Sequence, residues 1–231
     1  QLLCVLAVLV GIAGLPVAAT PRALASDTPE PTRVSVPGSF NSELGCPGDW
    51  QPDCGDGQTS TPAPPKGNDL ERQGNGVWAR TLGPIPAGSY EYKLALNGGW
   101  DENYGSDFKR NGPNFSVSLA AATAIRYYYD HKTHYIANDL ANTIYTVPGN
   151  FNSELGCAGD WQPECLRTFM SDVDGDGVFS FSTEAIPAGS YEFKVASDES
   201  WSNPNYGGPG GSNVAFTVPA AGIAVTFTFD S

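Results

Sequence analysis

Two carboxylates in a stretch rich in glycine and carrying two cysteines, Glu43 and Asp49, return later in the chain as Glu154 and Asp160. Paired carboxyls facing a cleft are what glycoside hydrolysis requires. One protonates the leaving oxygen while the other attacks the sugar or activates water. A complete catalytic pair in each of two units of roughly 100 residues would be an unusual arrangement. Turn hydrogen bonding accounts for acids in such loops, so no catalytic residue is assigned. The two histidines, His131 and His134, stand three apart around an expected turn and make a poor metal pair. No Ser/His/Asp or Cys/His set occurs in both halves of the chain.

Aromatic residues carry a stronger signal. Trp100-Asp101-Glu102-Asn103-Tyr104 follows a glycine-rich turn, and Trp201 with Asn205 and Tyr206 is its counterpart. Sugar rings present apolar C–H faces and a hydroxyl rim. A flat indole or phenol flanked by Asn, Asp or Glu supplies both kinds of contact at low entropic cost. The competing reading is that Trp100 and Trp201 plug the end of a sandwich. Trp50 and Trp161 occupy a second repeated loop, either beside a ligand or against a disulfide. Asp172-Val-Asp174-Gly-Asp176-Gly has the alternating acids of a calcium loop. Its twelfth position is Thr183 rather than Glu, and a hairpin-like turn is the simpler account.

These groups are positioned by an internal duplication. Residues 36–54 return at 147–165 and differ only at Ser39/Asn150, Pro47/Ala158 and Asp53/Glu164, while Ile85-Pro-Ala-Gly-Ser-Tyr-Glu91 recurs unchanged at 186–192. Each copy brings one cysteine pair. The local pairing Cys46–Cys54 and Cys157–Cys165 keeps each copy self-contained. Zinc would need more ligands than two Cys without nearby His provide.

In chain order, the apolar run from Leu2 to Leu15 and the small residues Ala23 and Ala25 read as a secretory signal peptide, 1–25, lacking its basic beginning. The run is short for a membrane anchor. A polar, proline-rich leader, 26–32, is expected to be disordered. The first module, 33–136, shows period-two alternation at Tyr90/Tyr92/Leu94/Leu96, Phe115/Val117/Leu119 and Ile125/Tyr127/Tyr129. A polar linker, 137–143, leads to the second module, 144–231. There Tyr191/Phe193/Val195, Val214/Phe216/Val218 and Val225/Phe227/Phe229 repeat the pattern. The first copy continues past this point to Ile136, so the closing strand of the second is expected to be truncated. No stretch after the leader shows helical periodicity. The fold expected is all-β: two tandem immunoglobulin-like antiparallel β-sandwiches.

The bulk numbers agree. The chain has 231 residues, with 12 basic against 25 acidic side chains and a net charge of −13. Such a surface repels phosphate backbones and anionic headgroups, which argues against nucleic acid and membrane partners.

Taken together, Val-Pro-Gly-Ser-Phe-Asn-Ser-Glu-Leu-Gly-Cys-x-Gly-Asp-Trp-Gln-Pro, Ile-Pro-Ala-Gly-Ser-Tyr-Glu-Tyr-Lys and Trp-Asp-Glu-Asn-Tyr-Gly resemble the tandem carbohydrate-binding-like β-sandwich modules of secreted bacterial pullulanases and related α-amylase-family enzymes. The closing Tyr-Tyr-Asp-His-Lys-Thr-His of the first copy fits the same pattern. The resemblance implies extracellular, non-catalytic accessory modules that hold α-glucan for a catalytic domain outside this sequence. The alternative is a spacer that packs on that domain and binds no sugar.

Overall fold

The computed structural model describes residues 28–55 and 67–231, together with the backbone of a strand at Leu6–Val10, β1. The rest of the expected signal peptide lies outside the described residues. Two compact units emerge, Ser26–Asn142 and Thr143–Ser231, with β1 belonging to the second. No described residue is in an α-helix, and every helical segment is a single 3-10 turn.

In the first unit the strands are β2 (Val34–Ser35), β3 (Glu71–Gly74), β4 (Val77–Ile85), β5 (Gly88–Tyr92), β6 (Leu94–Leu96), β7 (Asn103–Tyr104), β8 (Phe115–Leu119), β9 (Thr123–Asp130) and β10 (Tyr135–Asn138). They pair in the orders β10-β9-β4-β3, β2-β6-β7 and β5-β8, and all pairs are antiparallel. Alternation along β9 sends Ile125, Tyr127 and Tyr129 inward, where they meet Trp78 and Leu82 of β4 and Tyr92, Leu94 and Leu96 of the facing layer. In β4 the register shifts between Leu82 and Ile85. Gly83 and Pro84 together stand opposite one residue and bulge outward, so both Leu82 and Ile85 are buried despite their spacing of three.

The second unit repeats the plan with β11 (Tyr145–Thr146), β12 (Val178–Thr183), β13 (Gly189–Phe193), β14 (Val195–Ser197), β15 (Asn205–Tyr206), β16 (Val214–Val218) and β17 (Val225–Asp230). Sheets β1-β17-β12, β11-β14-β15 and β13-β16 enclose a core rich in Phe: Phe151, Phe181, Phe193, Phe227 and Phe229.

Two expectations need correcting. The leader is docked from Thr28 onward: Pro31 is buried, the Thr28 carbonyl sits 3.1 Å from His131 Nε2, and Thr32 donates to Asn97 Oδ1. Composition alone hid this, because the ordering comes from partners distant in sequence. The linker is also partly structured. β10 runs to Asn138, whose Nδ2 donates to the Tyr92 hydroxyl at 3.0 Å, and Asp139 accepts the Arg126 N–H.

Tyr92 and Tyr127 stand edge-on in the first core, ring centroids 5.1 Å apart. Burial pushes the Tyr92 hydroxyl up to about 12 although Asn138 bonds to it. Burial raises Tyr127 further, with Tyr92 and Asp139 adding to the effect. The Tyr127 hydroxyl is buried without a hydrogen-bond partner among the described residues, and the second module has Phe227 at that place. An unmet buried hydroxyl costs about 1–3 kcal/mol. Tyr127→Phe should therefore keep or raise the first module's urea midpoint at neutral pH. The sign of the alkaline effect follows from proton counts. Above the ordinary tyrosine value of 10.0 the unfolded chain loses protons that the native core retains, so stability falls as pH rises toward about 12. The variant should flatten that decline.

Candidate functional site

The repeated loop is built around a buried amide. At Gly38 the chain crosses β5 so closely that an added Cβ would lie 2.7 Å from the Glu91 carbonyl oxygen; at Gly149 the same contact with Glu192 would be 2.6 Å. Three residues later, Asn41 is fully buried. Its Oδ1 accepts from Gly38 N (3.1 Å), Gln51 N (3.2 Å) and Asn68 Nδ2 (3.1 Å), while its Nδ2 donates to the Val36 carbonyl (3.1 Å). Asn152 does the same with Gly149 N (3.0 Å), Gln162 N (3.3 Å) and the Val147 carbonyl (3.1 Å). The disulfides Cys46–Cys54 and Cys157–Cys165 close the far side of each loop. A clip of this length contributes about 2.5 kcal/mol on the chain-entropy estimate.

The repeated acids belong to this scaffold. Asp49 Oδ1 accepts from Ser42 N (3.0 Å) and Ser42 Oγ (2.8 Å), and Asp160 Oδ1 accepts from Ser153 N and Oγ (3.0 and 2.7 Å). The same hydroxyls reach Glu43 and Glu154. These carboxylates brace a turn.

What the scaffold presents is an indole. Trp50 and Trp161 both have φ of 58°, a left-handed conformation that is a genuine outlier for a bulky residue and costs about 1–3 kcal/mol. The Trp50 N–H is pinned to the Gly38 carbonyl (3.0 Å) and that of Trp161 to Gly149 (2.9 Å). In the first module the Trp50 and Trp100 rings lie 6.4 Å apart at 41° to one another. With Lys93, Asn103, Asn111 and Asn114 they line an open depression of about 390 Å³. Trp100 and Trp201 are each 41% exposed, unusual for side chains of that size. Neither plugs the sandwich.

The remaining expected site residues divide. Asp101 is exposed and does not line the depression. Asn103 is buried beneath it and acts as a brace, donating to the Trp100 carbonyl (2.9 Å) and to Asn111 Oδ1 (2.8 Å) and accepting from Lys93 Nζ (3.1 Å). Tyr104 does not form a platform. It is 3% exposed, donates to Glu102 and stacks on His134 with centroids 4.0 Å apart. Strand alternation explains the correction: β7 pairs with β6 and turns Tyr104 into the core. In the second module Tyr206 packs on Phe229 at 4.6 Å. There Asn205 is exposed and accepts from Lys194 Nζ, and the Trp201 Nε1–H donates to the Trp161 carbonyl at 3.1 Å. Sequence reasoning missed Lys93, Asn111 and Asn114, which lie outside the Trp motif, and the two hub asparagines. Asn41 and Asn152 are identical in both copies, but so are most of their neighbours.

Asp172, Asp174 and Asp176 bring carboxylate oxygens within 4.8 Å of one another, the one such acidic group among the described residues. Asp172 also closes its own turn, accepting from Gly175 N (2.8 Å) and Gly177 N (3.1 Å). Asn41→Ala strands several buried polar groups and should destabilise the first module by more than about 3 kcal/mol in urea unfolding followed by tryptophan fluorescence. Asp172→Ala should cost about 1–3 kcal/mol in the second module, to the same extent with chelator as with millimolar calcium.

Two antiparallel all-β modules of one plan, each offering an exposed indole beside a disulfide-clipped loop, define a tandem sandwich pair. The pullulanase X25 domain matches residues 33–136 and 144–231, and the chain belongs to that family. It is 31% identical over 211 residues to an amylopullulanase of Thermoanaerobacter thermohydrosulfuricus, covering 87% of this chain and 13% of the relative. It is 31% identical over 172 residues to an amylopullulanase of Thermoanaerobacterium thermosulfurigenes, covering 70% of this chain and 9% of the relative. The chain thus spans a small fraction of these relatives. The pullulanase from Bacillus acidopullulyticus aligns over 88% of this chain and 26% of its own, at 13% identity and a TM-score of 0.39. Among the described residues no helix is long and apolar enough to cross a membrane.

Proposed function

We propose that the two modules are non-catalytic α-glucan-binding accessory modules of a secreted starch-degrading glycoside hydrolase of pullulanase or α-amylase type. The catalytic domain would lie elsewhere in the same polypeptide. The observation that carries this reading is the Trp50–Trp100 pair. Both rings belong to one polar-rimmed depression, and the backbone at Trp50 is held in a costly conformation that leaves the ring there. Two tilted apolar planes suit successive sugar rings of a curved polymer, and the Lys93, Asn111 and Asn114 side chains supply partners for hydroxyls. The repeated acids brace turns, and the relatives' names, amylopullulanase, supply the substrate class.

The two copies differ in strength on this reading. The second module has a shorter loop after Tyr206, with no counterpart of Asn111, and commits the Trp201 ring N–H to Trp161. The first module is therefore the stronger site. Affinity electrophoresis of the chain in gels containing soluble starch or pullulan tests this. Wild type should be retarded. Trp100→Ala should weaken binding by about tenfold or more, the loss expected of a buried-on-binding aromatic anchor, and Trp201→Ala by less. Wild-type mobility unaffected by polymer would favour a spacer that binds no sugar.

A further inference from the structure

We infer that residues 28–33 form a strap that positions the Trp100 indole, with Thr28 and Thr32 as positioning residues for the glucan site. The inference rests on the proposed glucan-binding role of the Trp50–Trp100 face. The two indoles of that face are supported unequally. Trp50 is fixed by its own loop, since its N–H bonds to the Gly38 carbonyl and the next N–H to Asn41. Trp100 sits on Asn97-Gly-Gly-Trp-Asp-Glu102, the connection between β6 and β7. There Asn97 and Gly98 have φ of 56° and 71°, and a Cβ added at Gly99 would meet nothing. Two adjacent glycines leave such a loop much backbone freedom. In the second module Trp201 is steadied by its ring N–H, which donates to the Trp161 carbonyl. The Trp100 ring N–H makes no such bond among the described residues, which leaves it for a ligand hydroxyl and leaves the loop to be held from outside.

The strap grips that loop at both ends. At the near end the Thr32 N–H and hydroxyl donate to Asn97 Oδ1 at 2.9 and 3.1 Å, and the Arg33 carbonyl accepts the Asn97 N–H at 2.9 Å. At the far end the Thr28 hydroxyl donates to Glu102 Oε1 at 2.7 Å, the oxygen that Tyr104 also bonds, at 2.8 Å. The strap is itself anchored. Pro31 is buried, and Arg33 pairs with buried Asp69 at 2.7 Å. The Thr28 carbonyl, which can only accept, requires the hydrogen of His131 on Nε2. His131 Nδ1 then accepts from the Tyr129 hydroxyl (3.1 Å), which accepts from His134 Nδ1 (2.9 Å). Bond by bond, the strap is continuous with the turn that follows β9. The second module is built otherwise. It has Asn203-Pro204 where the first has Glu102, and Asp139, at the repeat position of Thr28, bonds to Arg126.

The test uses the full nitrogen-15-labelled chain with Thr28→Val, which removes the hydroxyl and keeps the shape and the carbonyl, and with Thr28→Ser, which keeps the hydroxyl. Without sugar, the Trp100 indole N–H of Thr28→Val should lose heteronuclear NOE relative to wild type, while Trp50 and Trp78 hold theirs. Affinity for maltoheptaose, read by calorimetry, should fall about threefold or more, because the loop must then be ordered on binding. Thr28→Ser should restore both readouts. An unchanged Trp100 signal in Thr28→Val overturns the proposal, as does a loss shared equally by Trp50 and Trp78 or one that Thr28→Ser does not reverse. A looser Trp100 with undiminished affinity overturns it too. A wild-type chain that binds no maltoheptaose would end the glucan reading alone, and the sugar-free Trp100 signal would then decide for or against the strap.

Discussion

Each module depends on a side-chain amide buried where the chain crosses its own sheet. Asn41 and Asn152 satisfy backbone groups that the close crossing at Gly38 and Gly149 takes away from regular pairing. A buried backbone N–H or carbonyl without a partner is costly, so the crossing is tolerable only because the amide offers an acceptor and a donor at once. Asp could not replace it, since a carboxylate would face the Val36 or Val147 carbonyl with no proton to give. The disulfide is secondary. It shortens the excursion that the unfolded loop can make, but the geometry is already set by the amide.

That anchorage explains how a bulky residue can persist with positive φ. Trp50 and Trp161 follow the hub by nine residues, and the next residue in each copy, Gln51 or Gln162, donates its N–H to the hub oxygen. The strain is therefore held from the adjacent peptide. Its presence in both copies ties it to the shared loop, and in the first copy it sets Trp50 against Trp100 over an open depression.

Much of the fold could be read directly. Alternation located β5, β8, β9, β13, β16 and β17, because each has one face on a core and one toward polar surroundings, the condition under which period two is visible. β7 and β15 were not legible: two residues cannot show a period, and the pairing of β7 with β6 that turns Tyr104 into the core leaves no local signature. The leader failed for a similar reason. Thr28 is held by His131, about a hundred residues away, and local composition carries no trace of such a partner. The indoles were legible as candidates because large aromatics in a glycine- and asparagine-rich context are poorly explained by core packing. Their polar rim was not, since Lys93 lies in the break between β5 and β6 and Asn111 and Asn114 in a loop with no repeated spacing.

The chain has five tryptophans, which give one reporter for each part of this account. Indole N–H signals of the nitrogen-15-labelled chain, followed while maltoheptaose is added, address it directly. Trp50 and Trp100 should shift together and saturate, Trp201 should move less, and Trp78, fully buried in the first core, should stay in place. Five stationary signals at saturating sugar, or a shift confined to Trp78, would contradict the assignment of the Trp50–Trp100 face as a glucan-binding surface.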